Sequence, residues 1–276
     1  MKRWMICACF SLILLTACSA SQESGDSTES APVTASASLQ TTSDTSQTNE
    51  TTQPVSGRSE QSSGTSLPQT GETLADFEVV LGKNKRIPFT AISQYPELPT
   101  GCEVTSLAMV FNYYNVSCDK CEIADNYLPK GEVGTVDFHE AFEGDPRDED
   151  SYGCYANVIV KTAQNIISDK QLPMTVSDLT GASLEELFDE IDNNMPVIVW
   201  GTQDCQEGHY SVTWNVDGKE LTWFTPEHCM VLTGYDENSV WVADPIYGDV
   251  RSYDKETFNH SYQSLLQQAV LLRQNV

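Results

Sequence analysis

From Ser19 to Thr73 the chain holds no aromatic residue, no isoleucine and no methionine, so about a fifth of its length has almost nothing to bury. Ser, Thr, Gln, Gly and Glu dominate this stretch, and such a segment cannot offset its ordering entropy by burial. It is expected to be a flexible tether whose 55 residues, as a random coil, span roughly 40 Å end to end. Folding must therefore begin near Leu74, after which lie all the tyrosines and every phenylalanine but Phe10. The remaining length to Val276 suits one domain, and it shows no internal repeat.

Residues 1–17 read as an export signal, with Lys2 and Arg3 as the positive end and Met5 to Leu15 as the apolar stretch. That stretch is too short for a finished transmembrane helix. It ends in Leu15-Thr16-Ala17-Cys18, which resembles the lipobox of bacterial lipoproteins, where the cysteine is diacylated and becomes the first residue; the alternative is an ordinary signal with a chance cysteine. Two acyl chains on Cys18 imply stable anchoring on the extracytoplasmic face, as in a Gram-positive bacterium. The expected organisation is thus a signal over 1–17, the lipidated Cys18 with its tether over 18–73, and one domain over 74–276. Within the tether, Leu67-Pro68-Gln69-Thr70-Gly71 spells a sortase pentapeptide, but a whole domain follows it where a sorting signal needs a terminal apolar tail.

Removing Lys2 and Arg3 from a chain of formal charge −25 leaves −27. So acidic a protein offers no surface to nucleic acid and is repelled by anionic lipid and wall polymers.

Element signals follow in order. Arg86 to Ile92 is strand-like. In Gln94 to Asn115, Val104, Leu107, Ala108 and Phe111 recur at helical spacing, which predicts a helix from Cys102 with one apolar stripe and Thr100 as its N-cap. Val116 to Asp150 reads as mostly irregular and acidic. Tyr155 to Ser168 is helical, and Ser183 with Glu186 forms a capping box opening a helix to about Asn193. Pro196 to Trp200 is a buried strand, and Tyr210 to Val216 and Glu220 to Phe224 form a hairpin about Asp217-Gly218. Then come strands over His228 to Gly234 and Val240 to Asp244, a helix capped by Asp254, and a closing strand over Ala269 to Leu272. Helices first and an antiparallel sheet afterwards give an α+β fold.

Cys102, in the first turn of its helix, faces unpaired N–H groups and the positive end of the dipole, which favours a thiolate nucleophile; the competing reading is a small buried hydrophobe. A cysteine nucleophile needs a base, an orienter for that base, and oxyanion donors. His139 lies in an acidic irregular stretch, His209 beside a glycine, and His260 on a polar helix face. His228 opens an apolar strand that can hold its ring rigidly, which makes it the candidate base. Asp244, sixteen residues on, shares a face with His228 only if the hairpin has an odd loop or a bulge; otherwise Asp244-Pro245 is a strand terminator. The Cys102 N–H and the Gln94 amide, eight residues before it, are the candidate oxyanion donors.

The order Gln94, Cys102, His228, Asp244, with Q-Y-P-E-L-P-T-G-C-E-V-T-S-L-A-M-V, E-H-C-M-V-L-T-G-Y and V-W-V-A-D-P, resembles the stand-alone, exported relatives of the bacteriocin-processing peptidases, family thirty-nine of the papain-clan cysteine peptidases. The resemblance spans Arg86 to Leu272. It implies a papain-like fold with the nucleophile helix packed on the C-terminal antiparallel sheet, thiol peptidase chemistry on a peptide or protein substrate, and a Cys102-His228-Asp244 triad with Gln94. No cofactor or metal is expected, and the protein is expected to be a monomer. Transporter-fused members cut leaders after two glycines in the cytoplasm. This chain carries no transporter and has an acidic insertion at Asp145 to Asp150, so that substrate is not carried over. A catalytically inactive peptide-binding domain and a wall-peptide hydrolase or transglutaminase are the alternatives.

Cys118, Cys121, Cys154, Cys205 and Cys229 remain. An odd number in an oxidising compartment leaves at least one free. Cys229 is expected to point away from the site into the core, and disulfides are expected among the other four.

Overall fold

The computed structural model describes residues 83–275; the signal, Cys18 and the tether lie outside them. Among the described residues no helix is long and apolar enough to cross a membrane. The elements run β1 (Lys85–Arg86), α1 (Cys102–Tyr113), α2 (Lys120–Asn126), β2 (Lys130–Gly131), β3 (Phe142–Glu143), α3 (Ala156–Asp169), β4 (Met174–Asp178), α4 (Leu184–Asp192), β5 (Val197–Thr202), β6 (His209–Val216), β7 (Lys219–Thr225), β8 (Glu227–Tyr235), β9 (Ser239–Asp244), β10 (Asp249–Asp254), α5 (Lys255–Ser264) and β11 (Ala269–Gln274). A single turn of 3-10 helix, Gln203–Cys205, follows β5.

The main sheet is antiparallel, in the order β10-β9-β8-β5-β11-β4, with β1 pairing the end of β8. Side chains alternate across it. Cys229 and Val231 of β8, with Ile198 and Trp200 of β5, join α1 and α3 in one core. Met230 and Leu232, with Val197 and Val199, join α4 and α5 in the other. The fold is α+β, with helices on both faces and β8 at the centre of the sheet.

Local signals set most of this. Ser183 and Glu186 form the reciprocal capping box of α4, and Asp254 caps α5 through Thr257 N–H. Asp217 and Gly218 both have positive φ, which a two-residue hairpin turn requires.

Several expectations are corrected. The strand expected over Arg86 to Ile92 shrinks to Lys85–Arg86, since only these two enter the ladder with β8 and beyond them Ile87 N–H makes a single bond to Thr233 O at the bulge. Gly101, not Thr100, is the N-cap of α1; the Thr100 hydroxyl donates instead to Asp148 O at 3.0 Å. Ten of the twelve residues of α1 are buried, so the single stripe is in fact burial on every side. The stretch read as irregular holds α2, capped by the Asp119 carboxylate, as well as β2 and β3.

Candidate active site

The start of α1 packs against the start of β8, so Cys102 comes to lie beside Glu227 and Cys229, the two residues flanking His228. Ser106, one turn further along α1, donates to Cys229 O at 3.2 Å and fixes the helix on the strand. The loop before Cys102 is fastened from three sides. Gln94 N–H donates to Pro245 O at 2.8 Å, tying the loop to the end of β9. Lys120 donates from Nζ to Ser93 O and Gln94 O at 2.6 and 2.8 Å, and pairs with Glu97. Thr100 N–H donates to Pro146 O of the acidic insertion.

His228 and Asp244 meet directly. Nε2 lies 2.8 Å from Asp244 Oδ1, and both residues are buried. An ionised carboxylate only accepts, so this contact places the ring proton on Nε2 and leaves Nδ1 as the acceptor. A bulge brings them to one face. Four residues separate the last pair of the hairpin, Tyr235 and Val240, and that register alone would put Asp244 on the wrong side. Between Gly234 and Leu232 the register shifts by one, so Val231 faces Ala243, and Asp244 falls opposite Met230 on the face of His228.

The thiol has other company. Cys102 is 7% exposed, and its S–H donates to Glu103 Oε2 at 3.3 Å. Glu103 Oε1 accepts from the Cys154 N–H at 2.6 Å. One ligand atom each from Cys102, Glu103 and Glu227 lies within 4.8 Å of the others, a spacing that could hold a metal ion and equally suits carboxyls sharing protons. Among the described residues no hydrogen bond joins the thiol to the imidazole. Strand alternation explains this: Glu227 and Cys229 face α1, while His228 turns toward Asp244 at the strand's first residues.

Electrostatics here run against the expected low thiol pKa. Burial, then the charges of Glu103 and Glu227, push Cys102 well above the ordinary thiol range, overriding the helix dipole. Burial raises Glu103 from 4.5 to about 7, and burial with Glu103 beside it drives Glu227 well upward. Sequence reading did not single out either glutamate, although Glu103 follows the candidate nucleophile directly and Glu227 precedes the candidate base.

Gln94 is buried; its Nε2 donates to Pro99 O at 2.6 Å, and Oε1 has no hydrogen-bond partner. Of the other histidines, His139 is held by Asp137 at 2.7 Å and His260 is paired with Glu207 on the surface.

The family model for the Peptidase C39 like family matches residues 86–270. The chain belongs to that family. It is 30% identical over 188 residues to the uncharacterized protein YvpB of Bacillus subtilis (strain 168), covering 64% of this chain and 71% of the relative. A crystal structure assigned to a C39-like peptidase from Bacillus anthracis superposes with a TM-score of 0.61 at 29% identity, covering 69% of this chain and 98% of that one. The fold is therefore that of the C39-like, papain-like peptidase domains.

The six cysteines between Cys102 and Cys229 are all free thiols, so the disulfides expected among Cys118, Cys121, Cys154 and Cys205 do not form. Cys154 lies in the core against Glu103, whereas Cys205 sits beside Ser261 of α5. Cys229 is in the core as expected, but its thiol lies beside Cys102, Glu103 and Glu227 rather than pointing away from the site.

Proposed function

We propose that this chain is a lipid-anchored cysteine peptidase of the cell surface, cutting peptide or amide bonds with Cys102, His228, Asp244 and Gln94. The observation that carries the reading is the buried His228–Asp244 contact at 2.8 Å, on the strand against which the helix bearing Cys102 is packed. In the reactive state the sulfur turns from Glu103 toward the imidazole, and Nδ1 accepts its proton while Asp244 holds the Nε2 tautomer. The thiolate attacks the carbonyl carbon, and the oxyanion is met by the Cys102 N–H and the Gln94 amide, one of whose N–H groups is used by Pro99. The imidazolium then protonates the departing amine, and water hydrolyses the thioester. Cys18 supplies the anchor and residues 19–73 the reach. The domain acts as a monomer on peptides outside the cell.

A second reading, a peptide-binding domain without turnover, draws on the thiol's bond to Glu103 in place of His228. Labelling by a thiol-directed epoxide and hydrolysis of a peptide library decide between them. Both are expected in the wild type and neither in Cys102→Ala; full hydrolysis by that variant overturns the peptidase proposal, and an unlabelled wild type favours the binding domain. Comparing surface peptides of wild-type and deletion strains then identifies the substrate.

A further inference from the structure

Two carboxyl groups beside the thiol take no part in the mechanism above. Glu103 is wholly buried, with Oε1 pinned by the Cys154 N–H and Oε2 accepting the Cys102 S–H. The Cys154 carbonyl is itself held by Trp200 Nε1 at 3.0 Å, so the carboxyl rests on a rigid support. Glu227 approaches from β8, and its Oε1 is buried without a hydrogen-bond partner. Gly153 makes room for both: a Cβ there would lie 2.6 Å from Glu103 Oε1 and 3.1 Å from Glu227 Oε2.

We infer that Glu103, backed by Glu227, is a positioning residue that holds the Cys102 thiol protonated and turned away from His228, competing with the imidazole for the sulfur's proton. This rests on Cys102 being the nucleophile. The groups facing the pair are Cys102 from α1, Cys229 from β8, Cys154 from the segment before α3, Tyr155 at the N-cap of α3, and Trp223 from β7. None is a cation, and among the described residues no Lys or Arg hydrogen-bonds or ion-pairs with either carboxyl. Two acids this close, Glu103 wholly buried and Glu227 partly so, cannot both ionise cheaply, so at least one proton stays in the cluster. A thiol that loses its proton there places a third negative charge beside them. Reactivity thus requires the sulfur to leave Glu103 for the positive imidazolium side.

The test is the pH dependence of Cys102 alkylation by iodoacetamide in the full chain, read by mass spectrometry of the Cys102 peptide, for wild type, Glu103→Gln and Glu227→Gln. Removing the Glu103 charge is expected to lower the midpoint by about one pH unit or more, and removing Glu227 to lower it less. A purely structural role changes the rate at every pH and leaves the midpoint in place; unmoved midpoints in both folded variants overturn the inference. Should Glu103→Gln not fold, the infrared S–H stretch of the wild type decides. A band at neutral pH that disappears in Cys102→Ala supports the inference, and its absence overturns it. Alkylation needs no peptide turnover, so an inactive wild type would refute the peptidase reading while leaving this measurement intact.

Discussion

His228 Nε2 stands 2.8 Å from Asp244 Oδ1 because Thr233 is extruded from the β8–β9 ladder. The bulge is secured on both sides: Thr233 O accepts from Ile87 N–H at 2.8 Å and its hydroxyl donates to Trp241 O at 3.2 Å. Deleting Thr233 removes the extra residue and closes the ladder, with Leu232 still opposite Val242 and Asp244 still opposite Met230 on the face of His228. Asp244→Asn is expected to lower kcat/KM for peptide hydrolysis by at least about 10²-fold, whereas the deletion, which keeps Asp244 beside His228, is expected to lower it less. In the Asn variant, whose backbone is unchanged, the circular dichroism spectrum should stay that of the wild type.

Lys120 is the fastener of the loop that leads into Cys102. Its ammonium is largely buried against the carbonyls of Ser93 and Gln94 and the Glu97 carboxylate, and Glu97 is held below its usual range chiefly by that contact. Lys120→Met keeps the stem and removes the charge, leaving those carbonyls without their donor. The loss in urea-unfolding free energy is expected to be about 1–3 kcal/mol. Thiol-probe labelling should slow as well, because Gln94 and Cys102 lie at the two ends of the loop that Lys120 pins.

Much of this was legible in the sequence where a local rule acts alone. The capping box of α4, the Asp217-Gly218 turn and the run of β8 each follow from neighbouring residues, and each appears where its signal lies. What was not legible depends on partners far along the chain. Asp119 caps α2 and Lys120 reaches back across 26 residues to Gln94, a reach that no local signal in Cys118-Asp119-Lys120-Cys121 marks. The α1 stripe misled because Glu103, Thr105 and Ser106 look solvent-facing. They are buried because Thr105 donates to Gly101 O, Ser106 to Cys229 O, and Glu103 takes the Cys154 N–H. β10 escaped notice because its alternating Asp249-Val250-Arg251 pattern exposes most of its residues on a sheet edge.

Leu232 is wholly buried on the face of β8 that carries α4 and α5, directly before the bulge. Leu232→Ala leaves a cavity in that core, and its expected cost is about 2–5 kcal/mol by chemical denaturation. Glu103 and Cys102 lie on the other face of the sheet. The iodoacetamide midpoint of Cys102 should therefore not move, which separates general loss of packing from disturbance of the acid pair.

Stability should also depend on pH through Glu103. Its pKa is about 7 in the folded chain, against 4.5 for an unburied glutamate, so between those values the folded state binds the proton more tightly than the unfolded state does. Stability from this group is fully present below about pH 4.5 and is lost as pH rises toward about 7, the reverse of an ion-paired carboxylate. The span corresponds to on the order of 3 kcal/mol. Urea unfolding at a series of pH values should show that decline in the wild type and a flatter profile in Glu103→Gln, in which the group no longer titrates. A wild-type stability that rises through the same window, with no difference between the two proteins, would mean that Glu103 ionises in the fold as readily as it does in water.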